Sequence, residues 1–511
     1  MTEQTQHDEK DAPLRRDIHT LGDALGRAIR QHSRPAAFET EERLRLACRR
    51  LRDCSTLLTM AGGEDAERLR NEIAALDEEI VRVVEGCDLE TAIDVIRAFT
   101  VYFHLVNTAE QQHRARRRHA YEVAPQPIIQ RGSLAALVSL LKRSRLDAAS
   151  LQSLLDDLSI ELVFTAHPTE ATRRSLILKS SRLAELLEAH DDLDRMTQRE
   201  RAEWQRELES IVTLLWRTDS VLHVRLQPLD EIKMGLYYLE DILYETIPAL
   251  YRELEELLAE AFPGASLRVP PFLRTGSWIG GDQDGNPYVS AETMLGALHL
   301  QRAHVIERYR ASLESLAQDF SQSLAYSTIT PALARSIERD AAAMPDYDRE
   351  LGPQTAQEPY RRKLSFMWKR LEAAVEDEDI VAHSTRNNSY SRSEELLADL
   401  ETLRESLLAD GEQEVALGRL ATFIRQVQVF GFYFAALDVR QHSERHASAL
   451  AELLTVSGLL ESDYRLLDEA ERVGLLEGLL RDPRVLPRQH LSLSEETRHV
   501  LATFDAIRRA R

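Results

Sequence analysis

Three short runs interrupt a chain that is otherwise written in helical period. Residues 160–166 (IELVFTA), 272–280 (FLRTGSWIG) and 429–439 (VFGFYFAALDV) are compact, apolar and rich in β-branched or aromatic side chains. Segments between them repeat apolar residues every three or four positions, so the runs read as strands and the rest as helices. Apolar strands joined by helical crossovers form parallel sheets buried on both faces. Composition agrees. The 511 residues include only 20 glycines and 17 prolines, well below the usual combined share of roughly 12%. So few turn formers suit a mostly helical protein with a small parallel sheet.

In parallel α/β architectures chemistry gathers at the C-terminal ends of the strands. Here each run leads into polar residues: His167-Pro168-Thr169-Glu170, then Gly281-Asp282-Gln283-Asp284-Gly285-Asn286-Pro287, then Arg440-Gln441. Pro168 biases His167 towards an extended conformation and makes a rigid exit from the strand. An imidazole with an ordinary pKa near neutrality suits a general base. A hydrogen-bonded structural histidine is the plainer alternative, and position alone leaves both open.

The second loop concentrates Asp282, Asp284 and Asn286 among glycines, including Gly280 and Gly281. An EF-hand order requires an acid at position twelve, and counting from Asp282 that position is Thr293, so calcium is rejected. Tight turns in which Asp and Asn bond their own backbone explain most of the composition. Trp278, just before the loop, either walls a site or packs into the core. Arg440 is suited to bidentate binding of phosphate or carboxylate, or else to an ion pair with Asp438 or Glu444. His442 and His446 share i,i+4 spacing but lack a third ligand, so no metal site is assigned.

Residues 1–13 read as a flexible tail, 14–158 as an N-terminal helical region carrying the stripe Leu21, Leu25 and Ile29, and 159–511 as the sheet with large helical insertions. Segments 340–358, with Pro345 and Pro353, and 378–392, rich in Ser and Asn, have loop composition. Ser492 and Glu495 read as a capping box for a last helix. A formal net charge of −21 argues against nucleic-acid binding, and the basic cluster Arg114 to Arg118 reads as a solvated face. The apolar stretch 429–437 is too short to span a bilayer. Cys48, Cys54 and Cys87 lack metal-ligand spacing and read as thiols in a reducing compartment. The polar, acidic N-terminus resembles no targeting signal, so a cytoplasmic, membrane-free protein is expected.

Together the three motifs resemble those of the phosphoenolpyruvate carboxylase family. Residues 163–179 (VFTAHPTEATRRSLILK) are similar to its segment around the catalytic histidine, 276–289 (GSWIGGDQDGNPYV) to its tryptophan and glycine-rich loop, and 430–446 (FGFYFAALDVRQHSERH) to its arginine-bearing strand. Residues 14–26, 97–113 and 215–235 agree in the same order. The resemblance implies a mostly helical fold holding the first strands of a TIM-type (β/α)8 barrel, incomplete in this chain. It implies that phosphoenolpyruvate and bicarbonate give oxaloacetate and phosphate, with Mg2+ or Mn2+, in an enzyme that is a homotetramer when complete. His167 would take the proton of carboxyphosphate, Arg440 would hold the substrate phosphate, and Trp278 would wall the bicarbonate/CO2 pocket. Gly280, Gly281, Asp282, Asp284 and Asn286 would form the active-site loop.

Two departures stand out. Gln283 occupies a position where the family more usually has arginine. The sequence also stops at Arg511, roughly halfway along a typical member, before any FHGRGGSIGRGG-like loop or the family's metal-binding Glu and Asp. No metal ligand is therefore assigned, and residues 1–511 alone are expected not to carboxylate. The rival readings are a non-catalytic helical fragment, one chain of a split enzyme, and a phosphohistidine-transfer enzyme with His167 as nucleophile.

Overall fold

Helices start where the sequence supplies caps. Asp88 accepts from the Thr91 amide and opens the helix Leu89–Glu122, and Thr197 and Glu200 form a reciprocal capping box at Gln198–Trp216. Pro359 opens Pro359–Val375, where a missing N–H costs nothing. The computed structural model describes residues 11–124, 128–165, 173–219, 227–375, 388–483 and 491–510. It divides into one unit of Met1–Ile129 with Thr172–Arg225 and another of Gln130–Ala171 with Leu226–Arg511.

The first unit is helical among its described residues. Its core joins Leu21, Leu25 and Ile29 of the helix Ala12–His32 to Leu105, Leu183, Leu187, Leu208 and Val212, as the apolar stripe predicts. The basic cluster departs from expectation. Arg114, Arg117 and Arg118 are exposed, but Arg116 turns inward to pair with Asp17 and Asp191. Asp17 is wholly buried, with His190 Nδ1 2.7 Å from its carboxylate. Burial alone would raise the Asp17 pKa, but hydrogen bonds from His190 and Arg116 outweigh it and hold the carboxyl below its ordinary value. Two carboxylates that lie far from Arg116 in sequence thus remove one arginine from a face that otherwise meets solvent.

The second unit contains the sheet. Strands β1 (Ile160–Phe164), β2 (Leu273–Ser277) and β3 (Ala436–Leu437) are parallel in the order β1-β2-β3, with Ile160 opposite Leu273 and Gly276 opposite Ala436. Two expectations are corrected here. Most of the run 429–439 is not strand: Val429 and Phe430 close the helix Arg419–Phe430, and Gly431, at φ +54°, turns the chain towards β3. An apolar helix end and a short strand therefore merged into one run. Nor is β1 buried on both faces, for Ile160, Leu162 and Val163 are 40–45% exposed. Among the described residues β1 and β3 each have a strand neighbour on one side only.

Prolines also misled the reading of 340–358. Pro345 and Pro353 each begin a short helical piece, Pro345–Leu351 and Pro353–Thr355, instead of marking an open loop. Of the second presumed loop, residues 378–387 lie outside the described residues. Ser494, not Ser492, accepts from the Thr497 amide at the start of the helix Glu495–Ala510.

The sheet is held by polar ties to the helices. The Leu273 amide donates to the Tyr251 hydroxyl at 2.8 Å, Thr275 donates to the Phe434 carbonyl, and Gln301 accepts from the Ala435 amide at 3.0 Å. A buried ionic cluster joins three helices, Pro331–Ala343, Pro359–Val375 and Ser393–Ala409. Lys363, wholly buried, lies 2.7 Å from both Asp340 and Asp399. Arg370 and the Tyr390 hydroxyl complete the shell of Asp399 at 2.8 and 2.6 Å. No helix among the described residues is long and apolar enough to cross a membrane.

Candidate functional site

Backbone pairing continues past the strand ends and builds the site. The Trp278 amide donates to the Phe164 carbonyl at 2.8 Å, and the Asp438 amide to the Ser277 carbonyl at 2.9 Å. Beyond them the Arg440 amide donates to Gly281 at 3.0 Å and the Gln283 amide to Arg440 at 2.9 Å, forming a parallel bridge between Asp282 and Arg440. Gly281 makes this approach possible, since a Cβ there would lie 2.1 Å from the Asp438 carbonyl oxygen. Gly280, at φ +90°, turns the chain where a side chain would also strike Ile232.

The ladder brings Trp278, Asp282, Asp438 and Arg440 together at the C-terminal ends of β2 and β3. The Arg440 guanidinium carbon sits 3.8 Å from the centroid of the Trp278 ring, a cation–π contact. Its Nη1 is 3.6 Å from Asp282 Oδ2, and the side chain is 40% exposed. Asp438 instead accepts from the Trp278 indole N–H at 3.1 Å. Of the two readings of Arg440 as an ion-pair partner, neither named the acid that is found; Asp282 reaches it through strand pairing. Trp278 is half-buried, with one face against Arg440.

Within the loop the turn chemistry is as the composition suggests. Asp282 Oδ1 accepts from the Gly285 amide at 3.3 Å and Asn286 Oδ1 from the Tyr288 amide at 3.1 Å. Asp284 is exposed. Glu231, which sequence reasoning did not single out, stands behind the loop. Burial raises its carboxyl pKa even though Asn286 hydrogen-bonds to it. The only signal for it was an Asp230-Glu231 pair after Pro228 at a helix start.

His442 and His446 take structural roles. His442 Nδ1 accepts from the Glu444 amide and caps the helix Ser443–Val456, while the His446 ring lies edge-on to Phe504. Among the described residues no group of three His, Cys, Asp or Glu side chains is placed to hold a metal ion. His167 lies outside the described residues.

A half-exposed arginine backed by an aromatic face, at the carboxyl ends of parallel strands, offers N–H donors to a phosphate or carboxylate. Such a cluster, in a mostly helical fold with a small parallel sheet, is chemically suited to holding an anion. The chain belongs to the phosphoenolpyruvate carboxylase family, whose model matches residues 14–511. It is 37% identical over 501 residues to a phosphoenolpyruvate carboxylase of Roseiflexus castenholzii, covering 96% of this chain and 51% of that protein. It is 38% identical to one from Nocardia farcinica, covering 97% of this chain and 51% of the relative. Identity to the Aromatoleum aromaticum protein is 36%, with 98% and 52% covered. The chain thus spans about half the length of the curated relatives it matches.

Proposed function

We propose that this chain is the N-terminal half of a phosphoenolpyruvate carboxylase, forming oxaloacetate and phosphate from phosphoenolpyruvate and bicarbonate together with a second half like that of its relatives. The observation that carries the reading is Arg440 stacked on Trp278 beside the glycine-rich loop, in a member of this family. The guanidinium keeps N–H donors free for a substrate phosphate, because its pair with Asp282 is long and monodentate. Trp278 supplies an apolar wall that keeps water from the enolate while CO2 is beside it. His167 takes the carboxyphosphate proton, a positioned general base contributing about 10²–10⁴-fold.

Among the described residues no set of His, Cys, Asp or Glu is placed to hold the family's Mg2+ or Mn2+; the family resemblance puts the Glu and Asp that would hold it in the second half, and no step is assigned to the ion. Among the described residues β1 and β3 lack a strand on their outer sides, which suits a TIM-type barrel closed by strands from the second half. The free thiols and acidic composition suit a cytoplasmic enzyme, and the family resemblance suggests a homotetramer when complete.

Coverage of only half of each relative also favours a second reading, a non-catalytic fragment or one chain of a split enzyme. A malate-dehydrogenase-coupled assay separates these. The chain alone should give no bicarbonate-dependent oxaloacetate, whereas co-expression with a polypeptide matching the relatives' second half should give turnover. Folded halves that associate and stay inactive would refute the carboxylase reading. In the active pair His167→Asn should abolish oxaloacetate while leaving slow bicarbonate-dependent phosphate release; full carboxylation by that variant would remove His167 from its role.

A further inference from the structure

Gln283 is the residue of the loop whose function the site leaves unexplained. It is 3% exposed, and its side chain turns away from solvent. Its Nε2 donates to Thr503 Oγ1 at 3.0 Å and lies 3.5 Å from the Met294 sulfur, while its Oε1 accepts from Gln441 Nε2 at 3.2 Å. The Thr503 hydroxyl in turn donates to the His499 carbonyl at 3.1 Å, and Gln441 Oε1 accepts from the His442 amide at 2.8 Å. One neutral amide therefore links the loop after β2, the turn after β3 and the helix Glu495–Ala510. Every one of these partners is uncharged. The chain thus carries a neutral amide, matched to neutral surroundings, where the resemblance leads one to expect arginine.

We infer that Gln283 is a positioning residue for Arg440, setting the guanidinium over Trp278 from behind without touching substrate. The Arg440 side chain is anchored weakly, by one ring face and an ion pair of 3.6 Å. Its backbone must therefore fix its direction. Gln283 holds that backbone where it leaves Arg440, through its own main-chain N–H on the Arg440 carbonyl at 2.9 Å and through its side chain on the Gln441 side chain at 3.2 Å. Thr503, buried on the last helix, is the fixed end of the chain of bonds.

The value of this positioning to catalysis rests on the carboxylase reading, but its test does not. The full chain labelled with 5-fluorotryptophan gives one 19F signal for each of Trp204, Trp216, Trp278 and Trp368. Loss of the Trp278 signal in Trp278→Phe assigns it, and Arg440→Met marks its position without the stacked cation. Gln283→Met, which keeps the side chain's length and removes its hydrogen bonds, should move the Trp278 signal towards the Arg440→Met position and leave the other three unmoved. Thr503→Val, which keeps its shape and loses only the hydroxyl, should move it in the same direction by less. A Trp278 signal at the wild-type position in both variants overturns the inference. So does a shift of all four signals together, which would mark general loosening and no specific hold on Arg440.

Discussion

Replacing Lys363 with methionine probes the ionic cluster that pins three helices of the second unit. Lys363 is wholly buried and lies 2.7 Å from each of two carboxylates. Removing it leaves Asp340 and Asp399 with Arg370 as the only cation of the cluster among the described residues, at 2.8 Å from Asp399 but 3.9 Å from Asp340. Methionine fills nearly the same volume, so the loss is electrostatic. Breaking a buried pair by deleting one partner costs about 3–5 kcal/mol, which corresponds to opening that is roughly 10²- to 4 × 10³-fold more frequent. Hydrogen exchange read by mass spectrometry on peptides from Pro331–Ala343, Pro359–Val375 and Ser393–Ala409 measures this directly, with Ala12–His32 as the control.

The pH dependence makes the reasoning refutable. Burial raises the Asp340 carboxyl pKa, and the nearby Lys363 lowers it only in part. A carboxyl with a raised folded pKa adds stability that is full below its unfolded pKa and is lost as pH rises through the folded one. Removing Lys363 pushes that folded pKa higher still, so the damage should be greatest at neutral pH and shrink on acidification. Asp340→Asn in the same variant should restore much of the loss, because one carboxylate then faces one arginine. A loss below tenfold in exchange, or one of equal size across the acid range, would show that the cluster does not hold the helices in this way.

The first unit should respond to acid in the opposite sense. Asp17 is held below its ordinary value, so its contribution is present above the usual carboxylate range and is lost as pH falls through the lowered value. Asp17→Asn should therefore flatten the acid limb of stability and cost about 3–5 kcal/mol at neutral pH, read from urea midpoints followed by tryptophan emission, to which Trp204, stacked on His190, contributes. At the site, Gly281→Ala would place a Cβ 2.1 Å from the Asp438 carbonyl. Strain of about 1–3 kcal/mol or more should part the strand ends and release Arg440 from Trp278, and an unchanged 19F signal for Trp278 would contradict the backbone geometry.

Local chemistry made the helices and the first two strands legible, because periodicity and β-branched runs act within a few residues. Trp278, Asp282 and Arg440 were singled out for the same reason, each lying at the end of a strand-like run or just past it. What escaped notice depends on contacts distant in sequence. Arg116 looked like one more surface arginine until Asp17, 99 residues away, drew it inward. Lys363 sits in a helix that reads as amphipathic, and nothing near it in sequence announces two carboxylates from other helices.

Arg440 shows why a sequence can name a residue and still miss its partner. Proximity along the chain offered Asp438 and Glu444, but in a strand alternate side chains face opposite ways. Asp438 and Arg440 do lie on the same side, yet the Trp278 indole takes Asp438 first. The acid left for Arg440 is Asp282, brought in by the parallel bridge that Gly281 permits. Gln283, next along, turns its side chain into the opposite, buried face. Its neighbour Asp282 meets the cation directly, while Gln283 can act on that cation only through the backbone. Alternation along one strand extension thus divides contact with Arg440 from support of Arg440 between two adjacent residues.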